Sequence, residues 1–202
     1  LYFEKFTQYG AKIDNYNGID AEKRKEWEQI IKEFPNVKFE CEKVSNLYKI
    51  LKEIRPNFIF SQSCLEHIEE DVKVIEDISN YAINSRKNIF QYHLVPAENC
   101  LWLYGLHGVR VYSPFTLKKL LKNTLNKDVS ISVKALGNQS CFDLHRKYVD
   151  DWSILGSKGC DIREQRNIEY WEELKKSIIN DTSISESNIA SFYAIKIFHY
   201  NS

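Results

Sequence analysis

Neither sign of charge predominates in this chain: 28 lysines and arginines are matched by 28 aspartates and glutamates. Such a balance creates no overall field to attract nucleic acid or an anionic membrane surface. No apolar run approaches the roughly 20 residues of a membrane span, and no basic stretch leads into a hydrophobic segment at the N-terminus. The expectation is a cytoplasmic protein with no membrane span and no nucleic-acid partner. Cys41, Cys64, Cys100, Cys141 and Cys160 form an odd set without a Cys-x-x-Cys pair, which argues against a disulfide framework or zinc cluster and for reduced thiols with no bound metal. Methionine is absent, and the chain opens on LYFEKF, already apolar and in mid-element, so the natural protein is expected to begin upstream.

What is present is a regular alternation of elements. The 202 residues suffice for one domain with a sizeable core, or one domain and an appendage. Residues 2–9 read as a helix closed by Gly10, and YNGID (16–20) as a strand leading into a helix over 21–34. NVKFEC is the next strand; a helix capped by Ser45 and stopped by Pro56 follows, then the strand NFIFS. Acidic residues 69–71 open a helix with Val72, Ile75, Ile78 and Ala82 at helical spacing, followed by the strand NIFQYHLV. This order predicts a mostly parallel α/β sheet covered by helices on both faces, with ligands gathering at the carboxyl ends of the strands. A long irregular segment leads to a helix from Pro114 and the alternating strand VSISVKAL. Residues 141–149 read as a last antiparallel strand at the sheet edge, and IEYWEELKKSII and ISESNIASFYAIKIF as a helical appendage.

Chemistry-bearing side chains fall at the predicted strand ends. Asp20, at the tip of the first strand, has two readings: an acid held rigidly enough to accept hydrogen bonds from both hydroxyls of a ribose, or a cap for the helix after it. Glu42 either approaches a bound base or is simply solvated. Ser61, Gln62, Ser63 and Cys64 end a central strand, where small side chains leave room for a ligand and supply polar contacts. Glu66 and His67 follow, with His93 on the next strand and His107 and Arg110 in the long loop beside Trp102 and Tyr104. A histidine there is either a general base, its pKa lying near neutrality, or a hydrogen-bonded structural residue. Trp102 and Tyr104 either contact a substrate or pack the loop. His145 and His199 have no deduced partner and read as structural.

The segments NGID (17–20), FIFSQSCLEHIEED (58–71), NIFQYHLVP (88–96) and HGVRVYSPFTLKKLL (107–121) give the sequence a family likeness. It resembles the Rossmann-like S-adenosylmethionine-dependent methyltransferases, particularly those that modify bacterial sugars and polysaccharides, over about residues 10–150. The resemblance implies a methyltransferase domain over 1–150, its N-terminus incomplete, and an extension over 151–202 that either covers the acceptor cleft or packs a homodimer. It implies S-adenosyl-L-methionine as cofactor, with Asp20 on its ribose, Glu42 near its adenine and Ser61 to Cys64 flanking its methionyl part. His67, His93, His107 and Arg110 then face the acceptor, with His93 or His107 as base and Arg110 on an acceptor carboxylate or phosphate. The implied reaction is O-methylation of a small-molecule or sugar acceptor, such as a nucleotide-linked sugar or polysaccharide precursor. The family's glycine-rich loop after its first strand is absent from these 202 residues. That departure favours the alternative of a non-catalytic methyltransferase-fold binding or scaffolding module. A glycosyltransferase or epimerase would carry a paired-aspartate metal motif or Tyr-x-x-x-Lys, and neither stands in a suitable place.

Overall fold

The structure, a computed structural model, describes residues 2–101, 108–124, 128–150, 160–163, 165–182 and 189–200. Two compact units, Leu1–Arg55 and Pro56–Ser202, are each taken on their own.

The first unit contains α1 (Tyr2–Gln8), β1 (Tyr16–Asp20), α2 (Trp27–Glu33), β2 (Val37–Cys41) and α3 (Leu47–Ile54). Strands β1 and β2 are parallel, with Tyr16 opposite Val37 and Asp20 opposite Cys41. Aromatic packing holds them to the helices: Phe3 meets Tyr16 and Phe34 edge-on, and Trp27 stacks on Phe39 with ring centroids 4.8 Å apart. Gly18 is required by that stack, since a Cβ there would come within 2.5 Å of the Phe39 ring. The helix expected from residue 21 begins only at Trp27. Asp20 accepts from the Glu22 N–H, turning the chain before the helix starts.

The second unit runs β3 (Phe58–Gln62), α4 (Asp71–Ser85), β4 (Ile89–Pro96), α5 (Pro114–Leu121), β5 (Val129–Leu136), α6 (Gln139–Tyr148), β6 (Val149–Asp150), β7 (Cys160–Asp161), α7 (Asn167–Thr182) and β8 (Phe192–His199). Its main sheet has the order β3-β4-β8-β5, with β3 parallel to β4 and β8 antiparallel to both its neighbours. Helix α4 buries Val74, Ile75, Ile78, Tyr81 and Ala82 and packs against α5, which buries Leu117, Leu120 and Leu121. Ser113 and Thr116 close a capping box ahead of α5, with Pro114 at its start.

Two expectations are corrected here. The antiparallel strand is interior, not at the edge, and it comes from 192–199, which had been read as helix. Along that segment Ile195, Ile197 and His199 are buried while Lys196 is exposed, a period of two that outweighs the helical spacing of its apolar residues. Residues 141–149 instead lie largely in α6, where Leu144 and Tyr148 pack with Val149 against Tyr170 and Leu174. The start of α6 is fixed by Asp181, whose carboxylate accepts from the backbone N–H groups of Asn138, Ser140 and Cys141 at 2.6, 3.0 and 2.9 Å. The C-terminal part is thus helical in α7 and extended in β8.

Candidate active site

In the first unit, two acids stand at the carboxyl ends of adjacent parallel strands. The Glu42 N–H donates to the Asp20 carbonyl at 2.9 Å, extending the pairing of β1 and β2. Asp20 carries Arg24 on one carboxylate oxygen, with Nε at 3.0 Å and Nη2 at 2.9 Å, and Glu22 N–H on the other. Its side chain keeps 35% exposure, so the contact with Arg24 is reachable by solvent and by a ligand. Glu42 accepts from the Asn46 amide at 2.9 Å. Asp20 thus meets a solvent-accessible guanidinium and Glu42 a neutral amide, and both carboxylates retain lone pairs for hydroxyl donors.

In the second unit, the end of β3 is accessible to solvent. Gln62, Ser63 and Cys64 are exposed and Ser61 is half-buried. Ser63 adopts φ +47°, a left-handed conformation unusual for a residue with a Cβ, while its N–H still pairs with the Leu94 carbonyl at 3.1 Å. Directly opposite Ser61 in the parallel register is His93, 1% exposed. Ser61 Oγ lies 2.7 Å from His93 Nδ1, and His93 Nε2 lies 3.1 Å from Gln91 Oε1. Gln91 Nε2 in turn lies 2.8 Å from His199 Nε2 on β8. Burial pushes His93 down to about 4 and His199 down as well, so both imidazoles are neutral at physiological pH.

Beyond β3, His67 is exposed and its Nε2 lies 4.0 Å from a carboxylate oxygen of buried Glu66. The Glu66 carbonyl accepts from Val109 and Arg110 N–H at 2.7 and 3.3 Å. A Cβ on Gly108 (φ +89°) would sit 3.0 Å from that carbonyl, so glycine permits this approach of the loop. Arg110 then donates through Nη1 to Asp71 and through Nη2 to the Glu69 carbonyl, both at 2.6 Å. Tyr112 adds a third tie, donating to Asp71 at 2.9 Å, and burial followed by the Asp71 charge pushes its phenol pKa up.

These placements redistribute the expected roles. His93 faces a buried polar chain, so the base role read for it lacks both access and a free ring nitrogen. Arg110, expected on an acceptor anion, is committed to Asp71. His67 is the one accessible imidazole beside the strand end among the described residues. Trp102, Tyr104 and His107 lie outside the described residues. Sequence reading gave Gln91 no role, left His199 structural without a partner and saw Asp71 only as a helix-opening acid; Gln91 and His199 meet only through the pairing of β4 with β8, 108 residues apart in the chain.

No protein-family model matches the sequence, and no curated protein matches it. Solved structures do. The plantazolicin methyltransferase BamL, in complex with a triazolic desmethylPZN analog and SAH, superposes with a TM-score of 0.55 at 15% identity, covering 99% of this chain and 73% of that one. The plantazolicin methyltransferase BpumL, in complex with the triazolic analog and SAH, gives a TM-score of 0.51 at 10% identity, over 98% of this chain and 72% of that one. The fold is the Rossmann-like methyltransferase fold. At such identities the likeness carries the architecture alone.

Proposed function

We propose that the chain is an S-adenosylmethionine-dependent methyltransferase domain acting on a hydroxyl of a small acceptor, a sugar being the class implied by the sequence resemblance. The methyltransferase fold over nearly the whole chain, with Asp20 at the tip of β1, carries the reading. The residues present suit the cofactor: Asp20 offers two acceptor oxygens to a ribose diol at a half-exposed strand end, and Ser61 to Cys64 supply small polar contacts.

Bound S-adenosylmethionine supplies a methyl group activated on a sulfonium sulfur. The protein's part is to align the acceptor oxygen with that carbon, exclude water and accept the hydroxyl proton. With the cofactor bound, the chain's own task would be to hold the acceptor hydroxyl in line with the activated methyl group and to take up its proton on a base. His67 is the base this geometry favours; His107 is the other candidate from sequence. Such a base contributes on the order of a hundred- to ten-thousand-fold in rate.

Calorimetric titration of S-adenosylhomocysteine into the full chain tests the reading. The expected result is micromolar binding that falls at least tenfold in Asp20→Ala with the denaturation midpoint unchanged. No binding by the natural full-length protein sinks the methyltransferase assignment and favours a non-catalytic relative of the fold.

A further inference from the structure

The chain Ser61–His93–Gln91–His199 is a buried polar line across three strands, and the methyl-transfer chemistry above uses only its first member. Gln91 is 0%, His93 1% and His199 3% exposed, and the successive separations are 2.7, 3.1 and 2.8 Å. A neutral imidazole has one donor nitrogen and one acceptor nitrogen, so the glutamine between them forces a choice on each ring. Gln91 Oε1 accepts, which places the His93 proton on Nε2 and leaves Nδ1 to accept from the Ser61 hydroxyl. With the amide turned so that its Nε2 faces His199, Gln91 donates there, which leaves His199 Nε2 without a proton and puts its hydrogen on Nδ1, a buried nitrogen with no hydrogen-bond partner among the described residues. The two histidines are therefore held in opposite tautomers by one amide.

We propose that Gln91 and His199 are positioning residues that, through His93, hold the Ser61 hydroxyl hydrogen inward, so that Ser61 Oγ meets a ligand at the β3 end as an acceptor for an N–H or O–H group. The ligand class named is one with an ammonium, amine or hydroxyl at that contact, and this clause rests on the methyltransferase reading. The line is not a proton sink. Depositing a proton on His93 would create an imidazolium in a site that already disfavours charge, and no carboxylate among the described residues is hydrogen-bonded to either ring. What the line supplies is direction: Ser61 loses its freedom to donate outward, and an acceptor-only group presented to it is disfavoured.

The experiment is nitrogen-15 NMR of the full chain with labelled histidine. His93 is expected to remain neutral from pH 5.5 to 8 with its proton on Nε2, and His199 to carry its proton on Nδ1 at neutral pH. Gln91→Glu replaces the amide donor by a second acceptor, so His199 is expected to move to the Nε2–H form while His93 keeps its own. Ser61→Ala is expected to leave both tautomers in place and to weaken S-adenosylhomocysteine about tenfold. Identical tautomers on the two rings, an Nδ1–H His93, or a His93 titrating near 6.5 in the unaltered protein would each overturn the relay. Full affinity for S-adenosylhomocysteine in Ser61→Ala overturns the ligand contact. Absence of binding by the natural full-length protein overturns the methyltransferase reading and the ligand clause together, while the tautomers still decide the relay.

Discussion

Two aspartate–arginine pairs, one in each unit, use the same groups to opposite ends. Asp20 and Arg24 meet at 2.9 Å on an exposed strand tip, their side chains 35% and 56% accessible. Asp71 and Arg110 meet at 2.6 Å with Asp71 at 3%, and the pair is further tied by Tyr112 and the Glu69 carbonyl. The first pair is screened by solvent and salt and its geometry is easily exchanged for a ligand hydroxyl. In the second the carboxylate has left water, while Arg110 keeps 31% exposure, so it is Asp71 that depends on its partners. A sequence motif with an acid and a nearby arginine thus signals a ligand site only where water still reaches it. Arg110, which the family resemblance implied for an acceptor anion, belongs to the framework for that reason.

The largest effect is expected where the buried pair is broken. Asp71→Ala leaves a guanidinium and a phenol without their acceptor and should cost about 3–5 kcal/mol, read as a shift of the denaturation curve. A loss no greater than that of Asp20→Ala would erase the distinction between the two pairs.

Next in size is a pH effect from the neutral buried polar line, whose desolvation problem is the reverse of the ion pair's. Because folded His93 is pushed down to about 4 from its ordinary 6.5, the unfolded chain binds the extra proton between those values. Stability is therefore full above about 6.5 and declines as pH falls toward 4, by about 3 kcal/mol from this group. Denaturant titrations across pH 4–7 should show the decline, and His93→Gln should flatten it. An unchanged slope in that variant would mean that other groups carry the acid sensitivity.

Asp181 falls between the two aspartates in exposure and should fall between them in effect. It covers three N–H groups at the start of α6, and although burial opposes its charge, the hydrogen bonds from Cys141, Asn138 and Ser140 win and hold its pKa low. Replacing it by alanine should cost roughly 1–2 kcal/mol, as caps do. The folded pKa is depressed, so this contribution is present above about pH 4 and disappears as pH falls through the folded value. A variant whose deficit persists undiminished at pH 2 would show that packing, not the carboxylate charge, is what Asp181 supplies.

Much of this was legible from residue patterns. Period-two and period-3.6 spacing marked β1 to β5 and helices α1, α4, α5 and α7, because each buries one face against its own unit. β8 was not, since Phe192 and Ile195 stand three apart as on a helix face, and only pairing with β4 and β5 selects the strand. Of the site, the acid at the β1 tip and the small polar end of β3 could be read because strand ends are local features. The commitments of His93 and Arg110 could not, because each is set by a partner from a distant segment: His199 through Gln91, and Asp71 across 39 residues.

The smallest expected effect tests the exposed pair from its basic side. Arg24→Ala should leave the denaturation midpoint where it is, because a solvent-exposed pair returns its charges to water when broken. Its consequence should appear in binding: with Arg24 gone, the Asp20 oxygen it held is free for a ribose hydroxyl beside the one that accepts from the Glu22 N–H, and S-adenosylhomocysteine affinity should rise a few-fold at low salt. At high salt the variant and the parent should converge, since screening already weakens the guanidinium's hold on the carboxylate. A fall in affinity would instead make Arg24 a ligand contact in its own right, and the exposed pair would then resemble the buried one in needing both partners.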